Sequence, residues 1–303
     1  MTDDPALPDA EAATVPPGAP DPPTPDAPDA PIQRRIGTPA ALFLAALAVA
    51  FAVVAAMVLT GRLPGPGTCP PLAIQGCTRV LFLGNSYTDV NDLPHVFAEL
   101  AASGGQHVGT GKVAPGGVTL ADHVTLAESQ TALASARWDV VVLQEQSQVP
   151  SVPAMRSQQM YPAARTLVAT IRKAGARPTL LETWARRDGW PENSMPDYDA
   201  MQTNIEQGYL GIGHELDVPI APAGEAWRSA RLHAPHVELW QSDGSHPTVA
   251  GTYLAACVLY ASIFGRSPVG LSYTADLPIA TVQALQSAAA HTVLDDQAHW
   301  AHP

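Results

Sequence analysis

From Thr78 onwards, short unbroken apolar runs alternate with stretches of helical periodicity, and few folds accommodate that order. The runs lie in residues 79–84 (RVLFLG), 107–114 (HVGTGKVA), 138–147 (WDVVVLQEQS), 177–185 (RPTLLETWA) and 218–224 (VPIAPAG). Strands that read as continuous apolar segments are covered on both faces. Between them the pattern predicts helices over 94–103, 126–136, 161–175 and 198–216, with further helices over 247–265 and 274–294. Asn91-Asp92 before Leu93-Pro94 offers an N-cap with proline in the first turn. Helical crossovers between strands imply βαβ units, hence an α/β fold with a parallel sheet and helices on both faces.

In such a sheet, sites form beyond the carboxyl ends of the strands. Four small polar clusters follow predicted strands: Gly84 to Thr88, Gly116-Gly117, Gln144 to Ser147, and Glu182-Thr183-Trp184. All four are expected on one rim. The first contains Ser86, and a serine hydroxyl needs a base, itself oriented by a third group, to become a nucleophile. LWQSDGSHPTVAGTY, residues 239–253, supplies Asp243 and His246, three apart on a turn ahead of a helix. That spacing lets the carboxylate hold one ring nitrogen while the other faces Ser86. Ser86 alone reads equally well as a strand-end cap, Asp243 as a turn aspartate and His246 as a helix cap. Together they read as a triad. Oxyanion donors are expected from the backbone N–H of Ser86, from Gly116 or Gly117, and from the amide of Gln144 or Gln146. Asn85, Tyr87, Glu182 and Trp184 are candidate substrate-lining residues, although Tyr87 and Trp184 suit a core equally well. The sequence around Ser86 lacks the Gly-x-Ser-x-Gly elbow.

LFLGNSYTDVNDLP, a glycine in the second βα loop, VVLQEQS after the third strand and DGSHPTVAG together resemble the SGNH/GDSL hydrolase superfamily, in order, over about residues 78–265. The resemblance implies a three-layer α/β/α flavodoxin-like fold. It assigns Ser86 as nucleophile, Asp243 and His246 as its partners, and Gly116 or Gly117 with a third-block amide as oxyanion donors. It departs in two places. Gly84-Asn85-Ser86 stands where better-known members have Gly-Asp-Ser, and Gln144-Glu145-Gln146-Ser147 stands where they have Gly-x-Asn-Asp. Direct overlay puts Gln146 on the asparagine, whereas the Gln-Gly-Glu acetylesterase branch favours Gln144. The activity implied is hydrolysis of small acyl esters, O-acetyl groups on envelope glycans among them. An O-acyltransferase on the same glycans, or a silent glycan-binding module, are the competing expectations. No metal or cofactor is implied.

The remainder of the 303 residues reads as three appendages ahead of the domain at 78–303. Residues 1–31 carry ten prolines and seven acidic residues, too little apolar surface to offset chain entropy, so residues 1–37 are expected to be a disordered cytoplasmic tail. Residues 38–60 are read as a transmembrane helix, because 40–59 hold no charged side chain and span about 30 Å as a helix. Arg34-Arg35 before the span against Arg62 behind it orient the domain outside the cytoplasm. Residues 61–77 form a linker in which Cys69 and Cys77 bracket a short loop, suited to a disulfide or left as two thiols; Cys257 reads as core. The partners expected are therefore an ester substrate and a lipid bilayer. A net charge of −12 argues against nucleic acid. GGQHVGTGKV is no phosphate loop, since Val113 follows Lys112 where Ser or Thr is required. His233 and His236 lack a ligand framework and read as loop histidines.

Overall fold

The computed structural model describes Cys69, residues 76–135 and residues 137–301, all within the compact unit Val53–Pro303. Five strands, β1 (Cys77–Leu83), β2 (His107–Val113), β3 (Val140–Leu143), β4 (Arg177–Glu182) and β5 (Ile220–Pro222), form one sheet in the order β2-β1-β3-β4-β5. Every neighbouring pair is parallel. Val80–Leu83 and Val140–Leu143 are at most 1% exposed, as unbroken apolar strands between two helical layers must be.

Around the sheet lie α1 (Ser86–Asp89), α2 (Leu93–Ser103), α3 (Leu120–Thr125), α4 (Ala127–Ser135), α5 (Tyr161–Lys173) and α6 (Tyr198–Leu216). They are followed by α7 (Ala223–His233), α8 (Val249–Phe264), α9 (Ile279–Leu294) and α10 (Gln297–Ala301). Helices α2, α7, α8 and α9 pack on one another, as do α3, α4, α5 and α6, giving three layers. α8 is apolar around most of its circumference because it is buried on nearly all sides; Thr248 caps its start and Gly265, at φ 62°, ends it.

Three local expectations are corrected. Asp92 does not cap α2: it sits at φ 51° with no side-chain cap bond, and its carboxylate instead reaches Lys112 at 3.1 Å, beside Asp89 at 2.6 Å. Pro247 precedes the N-cap of α8 and does not lie within its first turn. α7 is an addition to the expected elements: its buried stripe, Ala223, Ala226, Trp227 and Ala230, is mostly alanine, and the helix follows the last strand with no loop between, Pro222 being both the end of β5 and the N-cap.

Cys69 and Cys77 form a disulfide, and Cys257 is a buried free thiol. Among the described residues no helix is long and apolar enough to cross a membrane. The expected tail, the apolar span 40–59 and most of the linker lie outside the described residues.

Candidate active site

In the order β2-β1-β3-β4-β5 the chain reverses its direction of winding between β1 and β3, and that switch point opens a crevice beyond the strand ends. The register aligns Leu83 with Val113 on one side and Leu143 on the other, so the loops after β1, β2 and β3 emerge together. Ser86 begins α1, separated from β1 by Gly84 and Asn85. His246 and Asp243 come from the turn between α7 and α8, 160 residues from Ser86 along the chain.

The three side chains meet. His246 Nδ1 lies 2.5 Å from Asp243 Oδ2, and His246 Nε2 lies 2.9 Å from Ser86 Oγ. A carboxylate only accepts, so Nδ1 carries the proton and Nε2 accepts from the Ser86 hydroxyl. Asp243 Oδ1 also accepts from the backbone N–H of Ser245 at 2.9 Å and of His246 at 3.0 Å. Burial raises the Asp243 carboxyl, but the bonds from His246 and Ser245 outweigh it and hold it below the usual carboxylate range. The side chains of His246 and Asp243 are 33% and 47% exposed, so the triad lies at the surface and not down a tunnel.

The turn that carries the pair is fixed from several sides. Gly244, at φ 67°, supplies the left-handed residue the turn requires. Gln241 N–H donates to His246 O, and Arg187 N–H donates to Gly244 O at 2.8 Å. Asn91 Nδ2 donates to both Pro247 O and Thr252 Oγ1 at 3.0 Å, joining the loop after Ser86 to the start of α8. Beneath the imidazole, Tyr87 meets His246 edge-on at 5.7 Å and stacks on Trp184 at 4.7 Å, which stacks on Trp227 at 4.2 Å. Tyr87 Oη is 2.7 Å from Ser245 Oγ, and Trp184 Nε1 donates to Ser245 O. This aromatic column locks the ring plane.

No protein-family model and no curated protein matches the chain. Among solved structures, a DUF4886 family protein from Bacteroides uniformis superposes with a TM-score of 0.64 at 21% identity, over 73% of this chain and 96% of that one, which establishes the fold. A protein of Slackia heliotrinireducens assigned to the SGNH hydrolases is 30% identical with a TM-score of 0.53, over 62% of this chain and 100% of that one. The chain belongs to the SGNH hydrolase family.

The two departures of this SGNH hydrolase from the better-known motifs answer each other. Gln144 Oε1 accepts from Asn85 N–H at 3.0 Å and Thr88 Oγ1 at 2.9 Å, while its Nε2 donates to Asn85 Oδ1 at 3.1 Å and to Glu145 O. Asn85 Oδ1 caps Tyr87 N–H, and Asn85 Nδ2 donates to Val118 O at 2.9 Å, a bond an aspartate could not make. Gly84 is required here, since a Cβ would stand 2.4 Å from Thr88 Oγ1 and 2.6 Å from Gln144 Oε1.

The oxyanion candidates are thereby separated. Both hydrogens of the Gln144 amide are used internally, so Gln144 holds the loop and does not face a substrate. Gln146 Oε1 caps the N–H groups of Gln148 and Val149, and its Nε2 makes one 3.3 Å bond to Gln148, which leaves one hydrogen uncommitted. Among the described residues the backbone N–H groups of Ser86, Gly116 and Gly117 have no acceptor. The proposed lining residues are interior: Asn85, Tyr87, Glu182 and Trp184 are 2%, 4%, 0% and 1% exposed. Tyr87 and Trp184 are column members, and Glu182 accepts from Gln202 Nε2 at 2.7 Å within the core.

Two buried groups escaped sequence reasoning. His123 Nε2 donates to Gly84 O at 2.8 Å while Nδ1 accepts from Ser129, and burial lowers its pKa, keeping it neutral. Glu145 Oε1 accepts from Leu120 N–H and Gln146 N–H, tying the second-block loop to the third. Its Oε2 is buried without a partner, and burial pushes the carboxyl up to about 7.

Proposed function

We propose that this SGNH hydrolase is a serine esterase acting on small acyl esters, with Ser86 as nucleophile, His246 as general base and acid, and Asp243 as its orienting carboxylate. The observation that carries the reading is the unbroken relay from Ser86 Oγ through His246 to Asp243, at 2.9 and 2.5 Å. Ser86 Oγ attacks the ester carbonyl as its proton passes to Nε2. The tetrahedral intermediate collapses, the alkoxide leaves with that proton, and an acyl-serine remains. Water then gives a proton to Nε2 and attacks the acyl carbon, and Ser86 Oγ takes the proton back as the acid departs. Uncommitted N–H groups at Ser86 and at Gly116 or Gly117 are the oxyanion donors in this scheme, and each such donor is worth about 3–4 kcal/mol. Gln146 is the remaining side-chain candidate.

A triad exposed at the rim favours an acyl group displayed on a bulky alcohol, such as an O-acetylated glycan, over a long chain that needs a tunnel. The Cys69–Cys77 bridge supports placing the domain in an oxidising compartment, held to the membrane through residues 40–59 with its N-terminus in the cytoplasm. The test is turnover of p-nitrophenyl acetate by the full chain. Ser86→Ala should lower kcat/KM at least about 10³-fold; equal turnover by the variant would overturn the assignment.

A further inference from the structure

The described part of this acidic domain ties most of its buried or half-buried guanidinium groups to counter-charges or carbonyls. Arg228 pairs with Glu225, and Arg187 with Glu238 and Gln241 O. Arg156 donates to Asn204 O, and Arg231 lies over Tyr198 at 4.1 Å. Arg186 is different. It is half-buried, its Nε is shielded from solvent, and its guanidinium has no hydrogen bond or ion pair among the described residues. Taking a cation part-way out of water without a partner is costly, so a sequence keeps it where an anion will arrive.

The place of Arg186 says where that anion sits. Two residues earlier, Trp184 stacks under Tyr87 and donates to Ser245 O. One residue earlier, Ala185 is pinned through its N–H to Gln202 and through its carbonyl to Trp240 Nε1. One residue later, Arg187 N–H donates to Gly244 O, inside the Asp243–His246 turn. Arg186 is thus held on the wall of the catalytic turn by rigid neighbours on both sides. Burial raises the pKa of the Tyr87 hydroxyl, which lies against Ser245, and the Arg186 charge works against that rise.

Resting on the esterase reading, we infer that Arg186 is a specificity-determining residue that selects esters bearing a carboxylate close to the scissile bond, binding that carboxylate through its unpartnered guanidinium fork. The two nitrogens of such a fork suit a carboxylate bidentately, whereas a neutral ester gains nothing from them.

The experiment compares kcat/KM of the full chain on two matched pairs of esters. p-Nitrophenyl butyrate against mono-p-nitrophenyl succinate places the charge on the acyl side. Phenyl acetate against 4-carboxyphenyl acetate places it on the alcohol side. In one pair the anionic ester should be preferred about tenfold or more, the scale of one charge-assisted bidentate contact. Arg186→Met should abolish that preference, and Arg186→Lys, which keeps charge without the fork, should retain only part of it. The readout is the ratio within a pair, in which any general loss of activity cancels. No preference in either pair, or a preference that survives Arg186→Met, would overturn the inference while Ser86-dependent turnover of the neutral esters left the esterase reading standing. Absence of turnover on all four esters would overturn both.

Discussion

Glu145 offers a test of the buried network that needs no substrate. Its carboxyl is 0% exposed, with one oxygen satisfied by two backbone N–H groups and the other by nothing. Burial pushes it up to about 7 from an ordinary 4.5. The folded chain therefore holds a proton that the unfolded chain releases, and stability falls as pH rises through the interval from 4.5 to 7. Between pH 5 and pH 8 that cost amounts to about 2.5 kcal/mol, at about 1.36 kcal/mol for each unit of separation. Glu145→Gln keeps an oxygen for Leu120 and Gln146 and removes the titration. Its advantage over the natural chain should therefore grow by about 2.5 kcal/mol from pH 5 to pH 8, or about 5–10 °C in Tm. Thermal melts of both proteins at the two pH values measure this, and other titrating groups cancel in the difference. A difference independent of pH, or one that shrinks towards pH 8, would refute the burial argument.

Asp243→Asn keeps an acceptor for the Ser245 and His246 N–H groups but turns an amide towards Nδ1, forcing the wrong tautomer; kcat on p-nitrophenyl acetate should fall by about 10⁴. Gly84→Ala drives a Cβ against Thr88 and Gln144, both buried, and should cost about 1–3 kcal/mol in urea unfolding together with most of the activity. Cys77→Ser opens a loop whose cysteines are eight residues apart, and should lower stability by about 2–3 kcal/mol through the unfolded chain, with kcat within about twofold.

The strands were legible because Val80–Leu83 and Val140–Leu143 are apolar at every position, a pattern that only double coverage explains. Ser86, Asp243 and His246 were legible because residue types needed for one chemistry fell after strands or on a turn, where a rim site must draw them. What escaped was pairing across distance. Asn85 and Gln144 stand 59 residues apart, and nothing local tells an amide that faces a substrate from one that holds a loop. Glu145, set between two glutamines, reads as part of a polar cluster, and only the fold brings Leu120 N–H to its Oε1 and Tyr209 Oη to its backbone N–H, 25 and 64 residues away. Trp184 reads from sequence equally well as a groove wall or as core, because nothing local says what covers an aromatic at a strand end. It is interior because Tyr87 and Trp227 cover both its faces.

Peptide mapping after exposure of the full chain to a fluorophosphonate bears most directly on the nucleophile. The reagent phosphonylates a serine only when a neighbouring base takes its proton and a hole receives its oxygen. The mass increment should fall on the peptide containing Ser86, at one per chain, and should vanish in Ser86→Ala and slow by orders of magnitude in His246→Ala. Labelling at another serine, or at Ser86 with undiminished rate in His246→Ala, would contradict the triad.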